Sequence, residues 1–315
     1  MAEEPYLPRL TARLAEGVAR LPGDFRTRQT AYLRGVQNAD GGFSGREGGS
    51  DLYYTGFALR SLAVLDGLTP AICERAANFL RGSLTRQASV VDFFSLLYSC
   101  LLVQSAGGID VLADSPADWP DRVAQTLETF RTPDGGYAKS LRGTSGSTYH
   151  TFLVALCYQL LVRGVPRMDE VVRFVASRRR EDGGYVEIAP MRRGGTNPTA
   201  AAVGLLQMAE AEIPGALDEA RDGVIGFLTD MVSPEGGLRA NGRAPLADLL
   251  STFTAAWTLE QLGGLKRLDR QQVRRYAESL ERPDGGFHGG LWDEGCDVEY
   301  TFYGIGILAL LSEIA

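Results

Sequence analysis

Four acidic side chains fall between positions 293 and 299: Asp293, Glu294, Asp297 and Glu299. Asp297 and Glu299 are the best-placed pair of carboxyls for general acid and base work, which requires burial to pull two pKa values apart. Asp293, Asp297 and Glu299 together also suit a magnesium ion that bridges to a diphosphate. Basic residues are spread through the rest of the chain, at Arg46, Lys139, Arg142, Arg192, Arg193, Arg239 and Arg243, and their natural ligand is an anion. The only two histidines, His150 and His288, and the four cysteines, Cys73, Cys100, Cys157 and Cys296, show no metal-ligand spacing and no CxxC pair.

These groups need a scaffold, and internal repetition supplies it. An acidic residue followed by two glycines recurs at Asp40, Asp134, Asp182, Glu235 and Asp284, each time leading into an aromatic or a leucine: Phe43, Tyr137, Tyr185, Leu238 and Phe287. The first step is about twice the later ones, so a degenerate copy near 72–110 fills the gap, giving six repeats of roughly 50 residues. Before each turn runs an amphipathic segment (30–37, 122–130, 170–178, 221–230, 271–280), which reads as an outer helix. After each loop comes a segment apolar nearly all round (55–65, 93–103, 151–162, 199–209, 252–262, 301–311), which reads as a buried inner helix. Asp51, Ser147, Asp248 and Asp297 precede these segments and are suited to cap them. The turn acids read as structural, their carboxylates bonding local amides.

The expected fold is therefore all-α, an α/α toroid of six helical hairpins over 28–315 with a helical extension over 1–27 marked by Leu7, Leu10, Leu14, Val18 and Leu21. An open solenoid is the alternative, although no polar end cap is evident over 308–314. In a toroid the six loops share one rim, where inner-helix N-termini and the basic residues gather. Below the rim lie aromatics such as Tyr53, Tyr54, Phe57, Phe93, Phe94, Tyr149, Phe152, Trp257, Phe302 and Tyr303, suited to a hydrocarbon tail.

A net charge of −7 over 315 residues argues against a general nucleic-acid or membrane-surface binder, and with 44% of residues hydrophobic the chain can bury a large core. Neither a signal peptide nor a long uncharged apolar run is evident, and widely spaced cysteines fit a reducing compartment, so a cytoplasmic location is expected.

The repeats resemble the prenyltransferase and squalene-cyclase repeat, most closely the β-subunit of protein prenyltransferases of the Rab geranylgeranyltransferase type. Gln37 with the Asp40 turn, the run from Gly236 through Asn241, Gly242 and Arg243 to Asp248, and the run from Asp297 to Ile305 carry the resemblance. It implies an isoprenoid diphosphate as ligand, a helical-repeat α-subunit as candidate partner, and a zinc site. Asp248 keeps the family's first zinc position, but Leu250 stands where a Cys belongs, Tyr300 where a His belongs, and Leu246 where a diphosphate Lys belongs. Zinc is therefore not expected, and no other cofactor is implied apart from the magnesium alternative. The residues expected to contact ligand are Tyr54, His150, Arg193, Arg243, Asp248, Trp257, Asp297 and Tyr300. Whether the protein is catalytic stays open. Its alternatives are a zinc-independent prenyltransferase, a terpene cyclase-like enzyme, a non-catalytic partner-binding toroid and a glycan-processing enzyme.

Overall fold

Thirteen helices account for nearly all the regular structure in a computed structural model that describes residues 4–84 and 89–312. The chain divides into two compact units. One comprises Met1–Leu7, Ala88–Val91 and Pro116–Asp269, and the other Pro8–Gln87, Asp92–Ser115 and Arg270–Ala315. Residues 313 and 314 of the expected uncapped end, and 85–88 of the degenerate repeat, lie outside the described residues.

In the first unit the apolar helices α7 (Thr148–Leu160), α9 (Thr196–Ala209) and α11 (Leu249–Gln261) pack side by side. The amphipathic helices α8 (Met168–Arg178) and α10 (Asp218–Thr229) cover α9 and α11, and α6 (Trp119–Glu128) precedes the turn that leads to α7. In the second unit α3 (Leu52–Val64) packs against α13 (Val298–Leu310), with α2 (Gly23–Gly35) and α4 (Pro70–Ser83) on α3 and α12 (Arg270–Ser279) on α13. Helices α1 (Tyr6–Ala19) and α5 (Val90–Gly107) complete the set. Among the described helices, α5 is the one with the length and apolarity to span a membrane, and 61% of it is buried within the protein. The sixth repeat thus packs on the first, as a toroid requires and an open array does not permit.

The inner helices begin about three residues earlier than hydrophobicity alone marks them, because the capping residue sets the start. Asp51, Ser147, Asp248 and Asp297 each accept a hydrogen bond from the backbone N–H three residues on, at Tyr54, His150, Ser251 and Tyr300. The first outer helix also starts earlier than expected, at Gly23, and is separated from α1 by a short break after Ala19.

Four of the loops are miniature hairpins. The residue after the glycines bridges the cap residue, Phe43 to Asp51, Tyr137 to Ser147 and Tyr185 to Gly195, and in the last repeat this extends to a two-residue ladder of β1 (Phe287–His288) with β2 (Cys296–Asp297). Those strands are too short to register in sequence periodicity. The turn acids tie the hairpin shut: Asp134 accepts from Gly146 N at 3.1 Å, Asp182 from Gly194 N at 2.9 Å, and Glu235 from Ala247 N at 2.8 Å. At Gly41, with φ of 91°, an added Cβ would lie 2.0 Å from the Arg75 carbonyl oxygen on α4, so only glycine lets the turn seat on the next outer helix.

Candidate functional site

The second unit presents one continuous polar and aromatic face. Residues Tyr53, Phe57 and Arg60 share a stripe of α3 because they are spaced at helical intervals, and Glu299, Phe302 and Tyr303 do the same on α13. Phe57 meets Tyr53, Phe302 and Tyr303 with ring centroids 5.0, 5.7 and 5.3 Å away. The Arg60 guanidinium lies 4.0 Å from the Phe57 centroid, 5.1 Å from Phe302, 5.8 Å from Phe94 and 5.9 Å from Tyr98, the last two on α5. Its Nε donates to the Gly56 carbonyl at 3.0 Å. No carboxylate among the described residues pairs with it, so its charge rests on the negative faces of four rings.

Glu299 completes this face. Tyr53 Oη donates to its Oε1 at 2.6 Å, with Tyr303 Oη further off at 3.4 Å. Burial pushes its carboxyl above the usual range, and the Asp297 charge adds to the shift, while the Tyr53 hydrogen bond and the Arg60 charge oppose it. Asp297 meets the opposite surroundings. Its Oδ1 caps α13 and its Oδ2 accepts from Arg46 Nε at 2.9 Å. Arg46 also forks onto Asp293, at 2.8 and 2.6 Å, and holds that carboxyl below the usual range. The guanidinium lies 5.5 Å from the Tyr300 ring centroid. Tyr54 packs edge-on to Tyr53 at 5.2 Å, and burial raises its phenol. Of the expected contacts, Tyr54, Asp297 and Tyr300 therefore converge here. Two of the three acids considered for magnesium are already paired with the basic residue of repeat 1.

The other five expected residues lie in the first unit. Asp248 spends both oxygens on Ser251, on its N–H at 2.7 Å and its Oγ at 2.9 Å, and burial raises its pKa. Leu250 offers no donor. A zinc ion would have to break this cap and find further ligands, and no group of three or more His, Cys, Asp or Glu residues among the described residues is placed to hold a metal. Trp257 is buried, its Nε1 donating to Tyr6 Oη at 2.9 Å, and Tyr6 stacks edge-on against Phe152 at 5.1 Å. Arg193 and Arg243 are exposed on the loops before α9 and α11, and neither guanidinium meets a partner among the described residues. His150 is buried beneath the α7 cap. His288 bonds the Gly295 carbonyl through Nδ1 at 3.0 Å and belongs to the loop.

Sequence reasoning passed over Arg60. The signal was present: Arg60 is a lone charged residue inside an otherwise apolar inner helix, where it is half-buried, and such a placement is costly without a purpose. The role of the inner-helix threonines was also missed. Thr151, Thr199 and Thr252 accept from the N–H of Tyr137, Tyr185 and Leu238 at 2.8 to 2.9 Å and donate to the cap residue's carbonyl, so each fastens a glycine turn to its inner helix.

Outer and inner helices in repeated hairpins, first packed on last, define an α/α toroid, here with an aromatic face built around an arginine. The chain belongs to the prenyltransferase alpha-alpha toroid domain family, whose model matches residues 16–94, 73–215 and 199–315. No curated protein matches it. Among solved structures it is similar to Candida albicans protein geranylgeranyltransferase-I complexed with GGPP, at a TM-score of 0.67 and 12% identity over 90% of each chain. It is similar as well to the type II terpene cyclase MstE from Scytonema in complex with geranylgeranyl dihydroxybenzoate, at 0.60 and 13% over 98% of this chain and 99% of that one. An alpha-1,6-mannanase from Salegentibacter shares the fold at 0.59 and 13%, over 91% and 98% of the two chains.

Proposed function

We propose that this protein binds an isoprenoid carrying an anionic head group, with a prenyl diphosphate as the ligand class, and that it does so without zinc. Arg60 receives the head, and Phe57, Phe94, Tyr98 and Phe302 flank the start of the hydrocarbon. The observation that carries this reading is a guanidinium held on four aromatic faces and in no ion pair among the described residues. A diphosphate would add a countercharge in direct contact, through charge-assisted hydrogen bonds. Structural neighbours bound to GGPP and to a geranylgeranyl substrate support the ligand class. The engaged oxygens of Asp248 and the side chain of Leu250 support the absence of zinc. A helical-repeat α-subunit remains the candidate partner implied by the family resemblance. Four free thiols, three of them buried, support a reducing cytoplasm.

The test is calorimetry with EDTA present. Arg60→Ala should weaken geranylgeranyl diphosphate about 10- to 100-fold, the equivalent of one lost charge-assisted contact. Geranylgeraniol should lose far less, and Arg243→Ala should matter less than Arg60→Ala for both. Equal losses for diphosphate and alcohol would refute the head-group role, and abolition of binding by EDTA would refute metal independence.

Glu299 favours a second reading, acid-initiated cyclisation of the bound isoprenoid. A protonated Glu299, its Oε1 held by Tyr53, would transfer its proton to an alkene carbon. This leaves a carboxylate and a carbocation that closes a ring and then loses a proton to water. Cyclised product from the wild type and none from Glu299→Gln, with binding retained, would establish it. The glycan reading needs a free carboxylate pair flanking a groove, and Asp297 is committed to Arg46 and its cap.

A further inference from the structure

The loops before α7, α9 and α11, all in the first unit, are joined into one surface. Thr148 N donates to the Glu187 carbonyl at 3.0 Å and Thr148 Oγ1 to the Val186 carbonyl at 2.7 Å, while Ser147 Oγ donates to the Glu187 carboxyl. Thr196 repeats the arrangement one loop further on, its N–H donating to the Ala240 carbonyl at 2.8 Å and its Oγ1 to the Arg239 carbonyl at 2.6 Å. Loop 138–147 is thereby fastened to loop 186–195, and that loop to 239–248.

The charge of this surface is opposite to that of the chain. Against a net charge of −7 overall, the three loops carry Lys139, Arg142, Arg192, Arg193, Arg239 and Arg243. Their two acids, Glu187 and Asp248, are half-buried and turned to backbone amides, Glu187 accepting from Tyr149 N at 3.3 Å and Asp248 from Ser251 N at 2.7 Å. Every exposed charge on the loops is therefore basic. Arg239 is folded back onto the Met231 and Asp230 carbonyls, and the other five basic residues are exposed and enter no ion pair among the described residues. Apolar side chains stand among them, Leu141 63% exposed, Met191 43%, Ile188 41% and Leu246 40%. Exposed apolar groups gathered among bare cations mark a docking face.

We infer that this surface docks the protein on an anionic lipid membrane, the basic residues meeting lipid phosphates while Leu141, Ile188, Met191 and Leu246 enter the boundary with the acyl chains. Charge selects an anionic partner. A bilayer places an apolar layer directly beneath its anionic charge, so it takes both kinds of side chain at once. Single-stranded nucleic acid would call for aromatic rings on which bases stack, and none of the four apolar side chains is aromatic. The negative charge elsewhere in the chain is repelled by the same membrane, which confines contact to these loops. Net charge argues against a membrane-surface binder only because it averages over a patch of opposite sign. The inference stands apart from the isoprenoid reading, since it uses nothing of the Arg60 face.

Vesicle flotation tests it. The full chain should float with vesicles of phosphatidylcholine and phosphatidylglycerol in equal parts and stay behind with phosphatidylcholine alone. Salt at about 1 M should release it, because the screening length falls to about 3 Å. Each basic residue near an anionic surface is worth about 5-fold in affinity, so Lys139→Gln with Arg142→Gln and Arg192→Gln should weaken binding about 100-fold. Leu141→Ser with Met191→Ser should weaken it about 10-fold, with thermal unfolding confirming the fold. That serine variant should bind geranylgeranyl diphosphate in the absence of vesicles as the wild type does, which separates this result from the Arg60 test. Equal binding to both kinds of vesicle, binding to neither, or undiminished binding by the serine variant would overturn the proposal. Polyuridylate or polyglutamate bound as tightly as the vesicles, with the serine variant unimpaired, would assign the surface to a nucleic acid or a protein instead.

Discussion

Glu299 and Asp297 sit two positions apart and meet opposite electrostatics. Asp297 is paired with Arg46, whereas Glu299 lies against tyrosine hydroxyls and aromatic rings, and burial raises its pKa. The sign for stability follows by linkage. A carboxyl whose native pKa is raised favours folding while it is protonated, and that contribution is lost as pH climbs through the raised value. Glu299→Gln keeps the shape and cannot ionise. It should therefore raise the melting temperature at pH 8 relative to the wild type and change it little at pH 4. An equal change at both pH values would show that Glu299 titrates as an ordinary surface glutamate. The residue scale is also where legibility was poorest. Paired acids could be read from spacing, but Arg60 gains its meaning from rings on three helices, and the contact of Ser147 with Glu187 joins loops 40 positions apart. Pattern rules within one helix do not reach such pairs. Asp248 shows the converse: its identity was legible as a cap and as a relic of a metal position, and geometry gives both its oxygens to the cap.

At the level of the element, the repeating unit is a turn bolted to the helix that follows it. The glycine period, the inner apolar segments and the caps were legible because each is local: a carboxylate or hydroxyl at the cap satisfies an otherwise orphaned N–H. The bolt was not legible, because a threonine on a buried helix looks like a tolerated β-branched residue. Thr151 shows what it does, accepting from Tyr137 N at 2.9 Å and donating to the Ser147 carbonyl at 2.7 Å while 1% exposed. Thr151→Val preserves the volume and strands a buried N–H and a carbonyl. It should cost about 1–3 kcal/mol in denaturant unfolding, while Thr151→Ser should cost less than half of that. The corresponding contact in the last repeat is longer, 3.3 Å from Phe287 N to Thr301 Oγ1, so Thr301→Val should cost less than Thr151→Val. Equal stability of the valine and serine variants at position 151 would remove the bolt from the account.

For the whole molecule, the decisive contact is that of the last repeat with the first, because every other repeat has neighbours through chain continuity. Gln29 of α2 is 0% exposed and uses both ends of its amide across that junction. Its Oε1 accepts from Gly286 N at 2.8 Å, and its Nε2 donates to Glu281 Oε1 at 2.9 Å, which Arg28 also grips. The Gly285 turn beside it, with φ of 93°, comes so close to α2 that an added Cβ would lie 2.8 Å from the Arg28 carbonyl oxygen. Apolar packing of α13 on α3 supplies most of the adhesion between the two repeats, while Gln29 fixes their register. Gln29→Met retains length and bulk but leaves the Gly286 N–H unpaired and frees Glu281 of one donor. It should lower stability by about 1–3 kcal/mol and, if the junction couples the repeats, do so without splitting the unfolding transition. Two separate urea transitions in the variant, against one in the wild type, would show instead that the first and last repeats fold independently of their contact.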